Sequence, residues 1–93
     1  MIGTVYLLHF ERPFRHARHY IGWTQHLEAR LKHHAAGSGA RLLAAVVAAG
    51  IGWVCARTWT DVDRHFERRL KNRHGAVRIC PICAAEAKAA RAA

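Results

Sequence analysis

Seven side chains in this 93-residue sequence have types and spacings suited to chemistry: Tyr6, Tyr20, Arg30, His34, Glu67, Cys80 and Cys83. Cys80 and Cys83 form a CxxC knuckle, "CPIC", and such a knuckle is half of a typical structural zinc site. His74 is a candidate third ligand, and Cys55 or another His a candidate fourth, but the spacing alone does not complete a set. A CxxC with no second pair is more often unmetallated. A redox role is less favoured still, because no thioredoxin-like βαβ pattern precedes the motif. The other five residues sit at the borders of apolar stripes. Taken singly each has an ordinary role: a strand Tyr at the rim of a core, a snorkelling Arg, a solvated His beside His33, and a Glu paired with Arg68 or Lys71. Arg30 and His34 lie four residues apart, so one helix flank carries both.

The elements that must position these residues follow from hydrophobic periodicity. "TVYLLHF", Thr4 to Phe10, reads as a strand, and "ERPFRHAR" as the connection to a second strand over His19 to Gly22. A short polar loop between two strands predicts an antiparallel hairpin. Thr24 is the predicted N-cap of a helix running to about Ala36, with Leu27, Leu31 and Ala35 as its apolar stripe. "GSG" ends that helix, and "ARLLAAVVAAG" predicts a second, mostly buried one. "GWVCARTWT" is a third strand, with Trp53, Cys55, Arg57 and Trp59 on one face. Thr60, Asp61 and Asp63 supply caps and negative charge for a helix to about Arg73, with Val62, Phe66 and Leu70 toward the core. "AVRICPIC" reads as an extended tail, followed by an Ala-rich, helix-prone segment with little to pack against. The expected fold is a small α+β (mixed α/β) domain, order ββααβα, with a three-stranded antiparallel sheet flanked by helices. Residues 1–76 form the domain and 77–93 a partly flexible tail carrying the CxxC.

Composition narrows the partners. The apolar share of 52% argues for a folded chain with one core. Fifteen Lys and Arg against six Asp and Glu give +9. A field of that sign concentrates polyanions, and nucleic acid is favoured over an anionic membrane surface. The longest apolar stretch, Leu42 to Ala56, is too short and too Gly-broken to span a bilayer. The N-terminus enters a strand with no basic region before it, which predicts no signal peptide. Three cysteines without a disulfide framework predict a reducing, cytoplasmic setting.

In order along the chain, "TVYLLHF", "HYIGWT", "EARLKHH" and "HFERRLK" resemble the GIY-YIG nuclease superfamily. Tyr20-Ile21-Gly22 matches the second signature tripeptide literally, and Thr4-Val5-Tyr6 matches the first with Thr in place of Gly. Arg30 follows Tyr20 by ten residues and His34 follows Arg30 by four, as in the family, and Glu67 falls in the helix after the third strand. The match spans about residues 4 to 72. Two positions depart from the pattern: Trp23 stands where many members have Lys, and Ile79 where many have Asn. Asn72 lies too close to Glu67 to be assigned that Asn's role from spacing.

The resemblance implies a GIY-YIG-like fold and a metal-dependent endonuclease that hydrolyses phosphodiester bonds, in DNA more than RNA. It also implies roles. Glu67 would hold a Mg²⁺ or Mn²⁺ ion and Arg30 would fork onto phosphoryl oxygens. Tyr6 would orient or deprotonate the attacking water, with Tyr20 and His34 assisting. A domain this small has little surface for reading bases, so specificity would come from substrate shape, a protein partner or a homodimer. The alternative is a non-catalytic basic module that binds nucleic acid and is stabilised by zinc at Cys80 and Cys83.

Overall fold

The computed structural model describes residues 1–73 and 75–92. The protein is a small α+β domain built on one three-stranded antiparallel sheet, with β1 (Gly3–Phe14) between β2 (Ala17–Thr24) and β3 (Trp53–Val62). Helices α1 (Leu27–Ala35) and α2 (Arg41–Ala48) connect β2 to β3, and α3 (Arg64–Asn72) follows the sheet. Two further helices, α4 (Ala76–Ile79) and α5 (Pro81–Ala92), lie beyond the predicted ββααβα order.

The unbroken run Val5 to Phe10 is buried at every position, as a central strand covered on both faces requires. Tyr6, Leu8 and Phe10 face a core completed by Leu43, Val46 and Ile51, with Leu27 and Leu31 packed against it. Val5 and Leu7 face the opposite core, with Ile21, Leu70 and Cys80. Each fully buried Leu or Phe contributes about 1.5–3 kcal/mol, so the two thin layers hold the sheet from both sides.

Several local expectations are corrected. "ERPFRHAR" is not a loop, because β1 and β2 continue through it to a tight turn at Arg15-His16, with Phe14 paired to Ala17. Thr24 does not cap α1; its Oγ1 accepts the backbone N–H of His26 at 3.0 Å in the turn before the helix, and the N-cap is His26. The residue that α1 buries is His34, whereas Ala35 is exposed. Trp53 and Trp59 pack on opposite faces, since the register shift at Leu7/Leu8 interrupts the alternation of β3 between them. Of the three proposed caps of α3, Asp63 does the work, accepting the Phe66 N–H at 3.1 Å. Asp61 instead sits near the end of β3 with φ 58°.

The CxxC segment is helical rather than extended. Ala76–Ile79 forms α4, Cys80 is extended, and Pro81 opens α5, where a missing N–H costs nothing. Ile79, Cys80, Ile82 and Cys83 pack on the sheet, while Ala84 to Ala92 are exposed. Arg57 Nη1 donates to the Ile79 carbonyl at 3.4 Å and ties α4 to β3. No helix among the described residues is long and apolar enough to cross a membrane.

Candidate functional site

The hairpin register determines which side chains meet. Tyr6 lies opposite Gly22 on the neighbouring strand, and a Cβ at position 22 would overlap the Tyr6 ring. Glycine therefore lets the phenol lie flat across β2 toward Tyr20, with ring centroids 6.1 Å apart. The last turn of α1 delivers His34, whose Nε2 lies 2.7 Å from the Tyr6 hydroxyl. Gly39 permits this too, because a Cβ there would run into the His34 ring.

Tyr6, Tyr20, Arg30 and Glu67 line one cavity of about 520 Å³, together with Trp23, Arg64, Arg68, Lys71 and Asn72. His34 is not part of the lining: it is fully buried behind Tyr6. Four cationic side chains against one carboxylate make the cavity electropositive. Glu67 is held by Lys71, Oε2 to Nζ 3.3 Å, an i,i+4 pair on α3. Arg64 stacks over Trp23, its guanidinium carbon 4.9 Å from the ring centroid, which holds a cation at the cavity wall. Asn72 borders the same cavity although its spacing from Glu67 left it unassigned.

Burial shapes the titration of this group. It pushes the Tyr6 phenol up to about 12, opposed by the Arg30 guanidinium and reinforced by Tyr20. The Tyr6 hydroxyl in turn pushes Arg30 further up. Burial, with the charges of Arg30 and His33, lowers His34 to about 4. A neutral His34 ring accepts the Tyr6 O–H at Nε2, which leaves the proton on Nδ1. Nδ1 is buried and has no hydrogen-bond partner among the described residues.

A second polar cluster occupies the other side of the hairpin. His9 and His19 are directly opposed across β1 and β2, with ring centroids 5.1 Å apart. Cys80 and Cys83, from the start of α5, close over them. His9 Nδ1 lies 3.3 Å from His19 Nε2, 3.5 Å from Cys80 Sγ and 3.6 Å from Cys83 Sγ. Cys83 Sγ lies 3.2 Å from His19 Nε2. The four ligand atoms are all within 4.8 Å of one another, an arrangement that could hold a metal ion. Burial raises the Cys83 thiol to about 11, helped by Cys80, and lowers His19 below its ordinary value, helped by His9.

Sequence reasoning named two of these four groups. It offered Cys55 as a further ligand, but Cys55 is exposed on β3 and outside the cluster. His74, the candidate third ligand, lies outside the described residues. His9 and His19 were not singled out. The signal available was the hairpin itself: if Tyr6 faces Gly22, antiparallel counting puts His9 against His19. No protein-family model matches the chain, and neither does any curated protein or solved structure.

Proposed function

We propose that this protein is a small GIY-YIG-type endonuclease that hydrolyses phosphodiester bonds, with DNA as the favoured substrate. The observation that carries the reading is the shared cavity of Tyr6, Tyr20, Arg30 and Glu67, in which one carboxylate is surrounded by cations. A site that only gripped phosphate would have no use for that carboxylate, which repels it. A hard divalent cation fits the donor set: Mg²⁺ is commonly held by one or two carboxylates and fills its remaining positions with water and phosphate oxygens. Glu67 is the residue that would hold it. When bound, Mg²⁺ or Mn²⁺ supplies charge neutralisation on the phosphoryl group and the leaving oxygen.

The protein's own groups divide the remaining work. Arg30, Arg64 and Arg68 hold the phosphodiester, with Arg64 taking the place of the Lys missing at Trp23. Arg30 also meets the charge that builds up on the non-bridging oxygens in the transition state. Tyr6 orients the attacking water, its own hydroxyl held by His34 Nε2. A phenol pushed up to about 12 is protonated at neutral pH, and His34, lowered to about 4, is neutral there and accepts the phenol's hydrogen bond. Tyr20 completes the wall through which the water approaches. Specificity comes from substrate shape or a partner.

The alternative, a basic binding module without catalysis, is favoured by one observation: Tyr6 has no exposed surface, so its hydroxyl meets water only after a neighbour moves. Nicking of supercoiled plasmid separates the two. The nuclease reading expects relaxed circles that require Mg²⁺ or Mn²⁺. Binding without cleavage under every divalent cation would leave the module.

A further inference from the structure

We propose that His9, His19, Cys80 and Cys83 form a tetrahedral zinc site that fastens the C-terminal helices onto the β1–β2 hairpin. The inference is independent of the nuclease reading, since none of the four residues lines the tyrosine cavity.

The distances carry it. In a regular tetrahedron with Zn–N near 2.0 Å and Zn–S near 2.3 Å, nitrogen atoms sit about 3.3 Å apart and nitrogen and sulfur about 3.5 Å apart. The protein has 3.3 Å between the nitrogens and 3.2–3.6 Å for three nitrogen–sulfur pairs. Hydrogen bonding does not account for the same cluster. His9 Nδ1 has three neighbours within 3.6 Å, yet one ring nitrogen carries a single proton or a single lone pair in the ring plane. The three contacts share one proton or one lone pair, so as hydrogen bonds they are at best weak and multi-centred. A cation at the centre satisfies all four groups together.

The donor set selects the ion and the role. Two thiolates and two imidazoles suit zinc, whereas magnesium and calcium take oxygen ligands. Four protein ligands leave no open position, so the site is structural rather than catalytic. Its surroundings fit that role. Cys80 and His9 are buried, and the Cys80-x-x-Cys83 spacing places both sulfurs at the start of one helix. Glu86 Oε1 lies 3.9 Å from His9 Nε2, the ring nitrogen turned away from the cluster. Arg18 lies 3.6 Å from that same oxygen. At 3.9 Å the carboxylate is beyond hydrogen-bond reach of that nitrogen, but its charge favours a ring with Nδ1 turned to the cluster. The β hairpin thus contributes two ligands and the chain 61 residues later the others, so a bound ion joins distant segments.

Metal analysis of the purified full chain should find one zinc per chain, or one taken up on titration. Cobalt replacement should give the visible bands of tetrahedral Co²⁺ and a thiolate-to-cobalt charge-transfer band. Cys55→Ser should keep those bands, and Cys83→Ser should lose the thiolate intensity of one ligand. Stripping the metal from wild type should lower the melting temperature by about 10 °C or more and speed amide exchange across α4 and α5. The wild-type cobalt and exchange measurements stand even if Cys83→Ser does not fold. Failure to bind zinc or cobalt stoichiometrically, or cobalt bands that vanish in Cys55→Ser, overturns the proposal.

Discussion

His19 and Tyr20 are adjacent in the chain and serve opposite sides of one hairpin. On one side Tyr20, with Tyr6, Arg30 and Glu67, borders an open electropositive cavity with a single carboxylate. On the other, His19 joins His9, Cys80 and Cys83 in a closed group whose four ligand atoms face one another. The first side suits a hard cation that keeps its water and a charged substrate. The second suits a soft cation that gives up all of its water. Strand alternation lets one β hairpin carry both, because successive residues point to opposite faces.

Removing a group from the open side should leave the closed side intact. Arg30→Ala should lower cleavage by roughly a hundred- to a thousandfold through loss of transition-state stabilisation. Its metal content, measured on the same sample, should not change. A parallel loss of metal would mean that the two sides are not independent.

The open side should also dominate the salt response. Raising salt from 50 to 200 mM should weaken duplex binding about a hundredfold if some four phosphates are neutralised, read as the slope of log affinity on log salt. Arg30→Ala should make that slope shallower by about one. A flat response would detach the +9 charge from nucleic acid.

Gly22→Ala should displace the Tyr6 ring and cost about 1–3 kcal/mol in a melt. The cobalt spectrum of the variant should match wild type, because position 22 does not touch the cluster. Full stability in Gly22→Ala would contradict the close packing of Tyr6 on β2.

The last of these effects concerns pH. His34 titrates at about 4 when folded and near 6.5 when unfolded, so the unfolded chain binds its proton first. The stability linked to His34 is therefore present above about pH 6.5 and declines as pH falls toward 4. His34→Phe should flatten that part of the profile, measured by denaturant melts at fixed zinc. An unchanged profile would place the buried proton elsewhere.

The two sides were unequally legible in the sequence. Tyr6, Tyr20, Arg30, His34 and Glu67 were grouped by the resemblance of four short segments to the GIY-YIG pattern, and helix and strand spacing alone left each with an ordinary role. The burial of His34 was less visible: nothing in "KHHA" says which His the helix turns inward, and the answer depends on Gly39 leaving room for the ring. The closed cluster needed long-range information. His9 meets His19 because the register that sets Tyr6 against Gly22 runs on unbroken to that pair, and neither His carries a mark of its partner in its own strand. Cys80 joins them only because α5 docks on the sheet, a contact that an Ala-rich segment does not announce. The break in β3 was hidden for a similar reason, as strict alternation carries no mark of a register shift.

The most direct test of the nuclease reading measures Glu67→Gln and Arg30→Ala side by side for plasmid nicking in Mg²⁺ and for duplex binding without it. Magnesium should be left out rather than chelated, because a chelator would also strip zinc from the cluster. Glu67→Gln should cleave roughly a thousandfold less than wild type or worse, while its binding holds or tightens, since a negative charge has left a phosphate-facing cavity. Arg30→Ala should lose on both measures, cleavage more than binding. If Glu67→Gln nicks DNA as fast as wild type, the carboxylate does not hold the catalytic cation and the cavity of Tyr6, Tyr20, Arg30 and Glu67 is not a one-metal nuclease site.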